Sequence, residues 1–322
     1  MLMIEAGKFI GGKNIKMNLK KLFKNQKVLV IGDIILDKYI FGEAFKLSPE
    51  APVPLIKVEK EEYRLGGASN VANNILALGG LPFLYGQWHT DDYSFNILKG
   101  LLHKLDCYIN NNTNLEPIIK TRIISRNQQM LRFDNESNVK KELIRYDQRE
   151  LKKRMGWADI IVISDYNKGT ITQNLINFIH ENTDKLVLID PKPDNIHVYN
   201  NLIGTNTILK SNRSEYDRIK TTELAKQHYY FVTEGELGLT LYKKNDIIYN
   251  QLSQKEQVKD VVGAGDCVLA LLALIIDKTN IEKIKTNLRL LNLIGQLCVT
   301  KLGTVVISYE ELEKAYENML KV

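Results

Sequence analysis

Cysteine is scarce in this chain and badly placed for cross-linking. The three thiols, Cys107, Cys267 and Cys298, are odd in number, widely spaced and without a CxxC pair. That excludes a disulfide framework and a thiolate zinc site, and favours a reducing compartment. The five histidines form no HExxH pair, so the zinc-hydrolase pattern is absent too. Long hydrophobic runs are missing. The longest uncharged apolar run, Cys267 to Ile276, falls far short of the roughly 20 residues a membrane span requires. The N-terminal MLMIEAGKFIGGKNIKMNLKKLF lacks the apolar core and cleavage site of a signal peptide, so the expected location is the cytoplasm. Neither sign of charge dominates: 44 Lys and Arg stand against 38 Asp and Glu, a net +6. No basic run is interleaved with aromatics, which argues against a nucleic-acid partner and leaves room for a pocket that takes small anions.

What is there is ordinary for a globular protein. Of 322 residues, 44% are hydrophobic and 25% charged, enough for one large α/β domain or two smaller ones. A domain of that size buries enough surface to need no metal or disulfide staple. The segment Gly7 to Lys13 reads GxxxxGK, but Asn14 stands where a phosphate loop carries Ser or Thr, and no strand precedes it. A phosphate loop must hang between a strand and a helix, so this match is read as chance. Residues 1–20 are taken as an N-terminal extension and 21–322 as one core domain.

The body opens with KVLVIGD, a β-branched run ending at Asp33. The pattern returns in DIIVISD ending at Asp165, KLVLID at Asp190, NTILKSN at Asn212 and YYFVTEG at Gly235. Helical stretches such as Thr172 to Asn182 and Ser214 to His228 lie between these runs. Strands alternating with helices imply βαβ units and a mostly parallel sheet. Ligands of such sheets bind beyond the carboxyl ends of the strands. Each of Asp33, Asp165, Asp190 and Asn212 is also a good helix cap; four polar strand ends on one edge favour a site.

Two segments break the alternation. Residues 34–63 contain the proline-punctuated SPEAPVPLIKVEKEEY, and Ile118 to Glu136 reads as two strands around a polar turn. Neither carries a helix that could feed a parallel sheet. Both are assigned to a small antiparallel β lid projecting from the main domain, a face suited to dimer formation.

Two local patterns carry chemistry. In DVVGAGDCVLALLAL, Gly263, Ala264 and Gly265 permit a tight turn, and Asp266 opens an apolar helix. The first amides of a helix have no internal partner and lie at the positive end of its dipole. Small residues let a phosphate reach them, and an Asp there can take a proton from a hydroxyl. A plain turn with an Asp cap accounts for the same spacing equally well. In RLGGASNVANNILALGG, Gly66 and Gly67 precede a helix on which Val71, Ile75 and Leu78 share a face. Asn70 there offers donors and an acceptor to a polyol, as Asp33 and Asp37 offer acceptors.

The early GGA-x-N-V-A and late D-x-x-GAGD together resemble the signatures of the ribokinase family of carbohydrate kinases. Within it the chain is most similar to the D-glycero-β-D-manno-heptose-7-phosphate kinases, through VIGDIILDKY, LSPEAPVPLIKVE, GGASNVANNI, SRNQQMLRFD, SDYNKG, LIDPK, LKSNRSE and KLGTVVIS, in order along the chain. The resemblance implies a ribokinase-like α/β fold and ATP-dependent phosphorylation of the heptose C1 hydroxyl, with Mg2+ carried on ATP rather than in a dedicated protein site. A kinase for another sugar or sugar phosphate, or a noncatalytic sugar- or nucleotide-binding subunit, is the alternative.

The residue roles follow from that resemblance. Asp266 would be the base and Gly263, Ala264 and Gly265 the anion hole. Asp33, Asp37, Gly66, Gly67 and Asn70 would hold the sugar. Asn212 and Glu215 would arrange magnesium and the nucleotide phosphates. Lys168 and Lys192 would meet the substrate phosphate, and one or more of Arg122, Arg126 and Arg132 of the lid would bind it or remain solvated. The resemblance also implies a homodimer through the lid and no membrane partner. Val262 and Cys267 stand where the family usually carries Thr. The related bifunctional enzymes carry a second, nucleotidyl-transferring domain, for which this chain leaves no room; adenylyl transfer is expected from a separate protein.

Overall fold

The computed structural model describes residues 18–89, 93–111, 116–136, 145–253, 258–276 and 284–321. The GxxxxGK segment and nearly all of the expected N-terminal extension lie outside them.

The strand β1 (Lys27–Gly32) shows why the sheet sits in the middle of the molecule. Val28 and Val30 point to one face and Leu29 and Ile31 to the other, and all four are fully buried. A strand apolar on both faces needs helices on both sides, as in doubly wound α/β folds. Six more strands lie parallel in this sheet: β4 (Leu81–Trp88), β5 (Asp106–Asn111), β8 (Ile160–Ser164), β9 (Val187–Asp190), β10 (Thr207–Asn212) and β11 (Tyr229–Thr233). An antiparallel hairpin, β12 (Leu239–Lys243) and β13 (Asp246–Gln251), completes one edge. The sheet order is β13-β12-β11-β10-β9-β8-β1-β4-β5.

One face packs against α1 (Leu19–Phe23), α2 (Ala68–Ala77), α3 (Tyr93–Leu101), α8 (Ala264–Ile275), α9 (Ile284–Val299) and α10 (Tyr309–Lys321). The other packs against α4 (Gln148–Trp157), α5 (Gln173–Asn182), α6 (Arg213–Ile219), α7 (Glu223–Gln227) and the 3-10 stretch Pro193–Leu202. Helix α8 is buried on all sides from Asp266 to Ile275, which explains a sequence without amphipathic alternation. Thr172 caps α5 through its side chain, as its position in the sequence suggests. The stretch from Ser214 to His228 is two helices rather than one. Thr222 caps α7 by accepting from Ala225 N, so the chain stops and restarts there.

A second, four-stranded sheet has the order β3-β2-β6-β7. The long hairpin β2 (Ile34–Leu47) and β3 (Pro54–Gly67) is antiparallel, as is β6 (Ile119–Ser125) with β7 (Gln128–Asn135). The joint between the hairpins, β2 on β6, is parallel. Arg126 and Asn127 turn the second hairpin with φ of 50° and 63°, the left-handed pair that a two-residue hairpin turn demands. Because β2 leaves β1 after a single residue, Asp33, and β3 runs straight into α2, the small sheet is rooted where the main sheet ends.

Candidate active site

The strand ends converge. Gly32 pairs with Ser164 and Ser164 with Asp190 in register, so Asp33, Asp165 and Asp190 emerge along one edge of the sheet. Asp33 is fully buried and its carboxylate is spent on the following loop: Oδ2 accepts from Tyr166 N at 2.8 Å and Lys168 N at 3.1 Å, and Oδ1 from Thr170 N at 2.9 Å. Sequence reasoning set Asp33 against a sugar hydroxyl; the structure sets it against backbone amides, where a carboxylate satisfies donors that water cannot reach. Asp165 accepts from Asn195 Nδ2, Tyr199 Oη and Asn167 N. Burial, and next the neighbouring Asp33 carboxylate, push Asp165 up to about 6.

Asp266 stands in the first turn of α8 and is buried. Asn70 Nδ2, from the first turn of α2, donates to Oδ2 at 2.8 Å. Tyr166 Oη donates to Oδ1, also at 2.8 Å. Burial pushes Asp266 up to about 6, against the downward pull of those two hydrogen bonds and of the Lys210 ammonium. A carboxyl group titrating there is ionised at neutral pH yet basic enough to accept a proton. The turn before it is built for close approach: Gly263 takes φ 80°, in the left-handed region, and a Cβ on Gly265 would lie 2.8 Å from Lys210 Nζ. The amides at this helix start have no intrahelical acceptor and face anions favourably.

Lys210 is a residue that sequence reasoning missed, although a lone lysine inside the apolar strand TILKSN was a signal. It is buried and pairs with Asp190 Oδ2 at 2.7 Å across adjacent strands. The other oxygen, Asp190 Oδ1, is buried without a hydrogen-bond partner, and burial raises this carboxyl above its ordinary range. Asn212 and Glu215 form a capping box on α6: Asn212 Oδ1 accepts from Glu215 N at 2.9 Å, and Glu215 Oε2 from Asn212 N at 3.1 Å. Glu215 Oε1 also pairs with Lys192 Nζ. Their side chains thus organise this strand end before any ligand arrives. Among the described residues no group of three or more His, Cys, Asp or Glu could hold a metal ion.

The remaining predicted cations are ion-paired. Arg122 Nη1 meets Asp37 Oδ1 at 2.5 Å, with both side chains almost wholly buried; Asp37 Oδ2 accepts from Thr304 Oγ1 at 2.7 Å. Asp37 and Arg122, assigned from sequence to sugar and phosphate, therefore engage each other. Their interaction joins the small sheet to the segment after α9, where Thr304 N also donates to Tyr39 Oη. Gly66 permits this, since a Cβ there would sit 2.3 Å from Asp37 Oδ2. A Cβ on Gly67, whose φ is 57°, would lie 2.4 Å from the Asp33 carbonyl oxygen. Arg132 is held bidentate by Asp134 at 2.9 and 2.6 Å, Lys168 meets Glu136 at 2.7 Å, and Arg126 lies exposed in the hairpin turn beside Glu43.

The chain matches the model of the pfkB family carbohydrate kinases over residues 25–311. It belongs to that family. Similar curated proteins include the bifunctional protein HldE of Actinobacillus succinogenes, 35% identical over 91% of this chain and 64% of that protein. The bifunctional protein HldE of Helicobacter acinonychis is 33% identical over 89% of this chain and 65% of that protein. The chain thus spans a little under two thirds of the length of these relatives. Among solved structures it resembles a putative ribokinase from Agrobacterium tumefaciens (TM-score 0.73, 18% identity, 92% of this chain and 99% of that one). It also resembles phosphofructokinase-2 from Escherichia coli (TM-score 0.68, 17% identity, 93% and 100%). The fold is the ribokinase-like one, and the protein is a carbohydrate kinase.

For this pfkB kinase the two departures from the usual catalytic loop have visible surroundings. Val262 N donates to Asp260 Oδ1 at 3.0 Å. Cys267 is buried behind Asp266, where its thiol donates to Asn74 Oδ1 at 3.4 Å; Asn74 in turn donates to Asn70 Oδ1 at 3.1 Å. The small thiol thus supports the amide that holds the Asp266 carboxylate. Hydrogen bonding with Cys298 and burial keep it well above the ordinary thiol range, so it is a packing group rather than a nucleophile.

Proposed function

We propose that the chain transfers the γ-phosphoryl group of ATP, as its magnesium complex, to the C1 hydroxyl of D-glycero-β-D-manno-heptose 7-phosphate, giving heptose 1,7-bisphosphate in ADP-heptose biosynthesis. The observation that carries this reading is Asp266: a buried carboxylate titrating near 6, gripped by Asn70 and Tyr166, at a glycine-flanked helix start. Asp266 takes the proton of the attacking hydroxyl. The amides around Gly263, Ala264 and Gly265, with the Lys210 ammonium beside them, receive the charge that develops on the transferred phosphoryl group. Phosphoryl transfer asks a protein for positioning and electrostatics more than covalent chemistry. The heptose assignment is supported by the likeness to HldE proteins and by motifs spread from Lys27 to Ser308.

The residues present fit a nucleotide carrying its own metal. Magnesium on ATP would find Asn212, Glu215 and the unpartnered Asp190 Oδ1 at the same strand ends. Lys192 and Lys168 supply cations there, each able to exchange its carboxylate for a phosphate. In this reading Gly66, Gly67 and Asn70 line the sugar side, while Asp33, Asp37 and Arg122 hold the walls. Arg132 is the lid arginine best placed to trade Asp134 for the substrate phosphate; Arg126 stays in solvent. The exposed apolar side chains of the small sheet, among them Phe45, Leu47, Val58, Leu131 and Phe133, support a homodimer through the lid. An ATP-consuming kinase without a membrane-spanning helix among its described residues is read as cytoplasmic.

The test is phosphate transfer from ATP to heptose 7-phosphate, with the product position assigned by NMR, for wild type and Asp266→Ala. Transfer to C1 that collapses in the variant supports the reading. Phosphorylation of fructose 6-phosphate or ribose but not heptose 7-phosphate removes the heptose assignment and leaves the base in place.

A further inference from the structure

Tyr166 lies within the SDYNKG segment, but the resemblance assigned it no role. Its backbone N–H is fixed by Asp33, and its hydroxyl donates to Asp266 Oδ1 at 2.8 Å. Two ammonium groups from different parts of the chain lie against its ring. Lys120 Nζ, from β6 of the small sheet, is 5.0 Å from the ring centroid, and Lys192 Nζ, from the segment after β9, is 5.1 Å away. An ammonium against a phenol ring is attracted by the ring's quadrupole, more strongly once desolvated. Lys192 also pairs with Glu215. Lys120 has no ion-pair partner among the described residues. One side chain thus touches Asp266 and the small sheet and, through Lys192, is linked to the capping box of α6.

A phenylalanine would fill the same space and keep both ring contacts, so packing does not call for the hydroxyl. What the hydroxyl adds is a donor to a carboxylate that has lost water. We propose that Tyr166 is a positioning residue: its hydroxyl fixes the Asp266 carboxylate in the orientation Asn70 demands, and its ring is braced by Lys120 and Lys192. The catalytic side of this inference rests on Asp266 being the base; the positioning side does not.

The groups facing this pair come from every element around it. Asp266 has Asn70 on α2, Lys210 on β10, Asp190 on β9, Lys192 after β9 and the adjacent Cys267 thiol on α8. Tyr166 has Lys120, Lys192, Asp37 and Asp190. The Tyr166 hydrogen bond favours the ionised carboxylate, so losing the hydroxyl makes Asp266 harder to ionise.

The experiment compares wild type, Tyr166→Phe and Asp266→Asn as full chains. Carboxyl carbon-13 NMR follows the Asp266 titration, assigned by the signal missing in Asp266→Asn, alongside the pH profile of kcat/KM. In Tyr166→Phe the midpoint and the acid limb are expected to rise together by about one pH unit. Loss of kcat should exceed any change in KM for either substrate. A Tyr166→Phe protein that melts like wild type and titrates at the wild-type midpoint overturns the proposal. A midpoint that moves in a protein phosphorylating none of the sugars tested leaves the positioning standing and removes the reading of Asp266 as base.

Discussion

Asn70 Nδ2 and Asp266 Oδ2 meet at 2.8 Å across 196 residues of chain, tying the first turn of α2 to the first turn of α8. Neither helix cap alone would make a site. Together they place a carboxylate, an amide and two glycine-rich turns in one buried cluster.

Removing the amide tests that junction. Asn70→Ala leaves Asp266 with one donor where it had two, and a hydrogen bond to a charged group contributes about 1.5–3 kcal/mol. Loss of kcat/KM by roughly 10- to 100-fold is expected, with a smaller loss in Asn74→Ala, which acts through Asn70. Steady-state kinetics on the two variants rank them; equal losses would place Asn74 in direct contact with the chemistry.

The elevated carboxyl makes a prediction about pH and stability at once. Activity should fall about tenfold per pH unit below about 6, because only the carboxylate can accept the proton. Its folded value lies above the ordinary 3.8, so the folded state holds this proton more tightly than the unfolded one. Ionisation therefore costs stability as pH rises from about 4 to about 6, and the full cost persists above. Asp266→Asn should stabilise the fold at pH 8 by up to about 3 kcal/mol while abolishing transfer. Urea unfolding at pH 4 and pH 8 checks the sign: the gain must be larger at pH 8.

Two glycine substitutions should fail for different reasons. In Gly66→Ala the new Cβ would meet Asp37 Oδ2 at 2.3 Å, pushing the carboxylate off Arg122 and Thr304 and lowering the melting temperature. In Gly263→Ala the φ of 80° costs roughly 1–2 kcal/mol. The Cβ would also crowd Asn70 Nδ2 at 3.3 Å, so activity should drop more than stability. Calorimetry beside kinetics separates the two; a fully active Gly263→Ala enzyme would contradict the tight-turn account.

The Asp37–Arg122 pair should behave as a structural ion pair. Asp37→Ala strands a buried guanidinium whose Nε already has no partner, an arrangement that destabilises by about 3–5 kcal/mol. Arg126→Ala, exposed in the hairpin turn, should change stability by less than about 0.5 kcal/mol. Denaturant titrations of both variants test the contrast.

The fold was largely legible because its signals are local. Apolar β-branched runs ending in Asp or Asn announced β1, β8, β9 and β10, and the helix-free stretches around residues 34–63 and 118–136 announced the second sheet. The β12–β13 hairpin escaped notice, since its strands are short and its turn, Lys244-Asn245, carries no glycine although both residues have positive φ. The parallel contact of β2 with β6 could not be read either, because pairing between distant strands leaves no mark in either one.

The sequence by itself determined which residues could do chemistry here: a carboxylate at a glycine-flanked helix start, an asparagine after paired glycines, and cations at strand ends. Tertiary structure alone decided which of them are free to act. It drew Asp33 onto backbone amides, closed Asp37 on Arg122, set Lys210 against Asp190 and brought Tyr166 to Asp266. A side chain's chemistry is written in its identity, whereas its partner, burial and proton affinity depend on residues far away in the chain that only folding brings within a few ångströms.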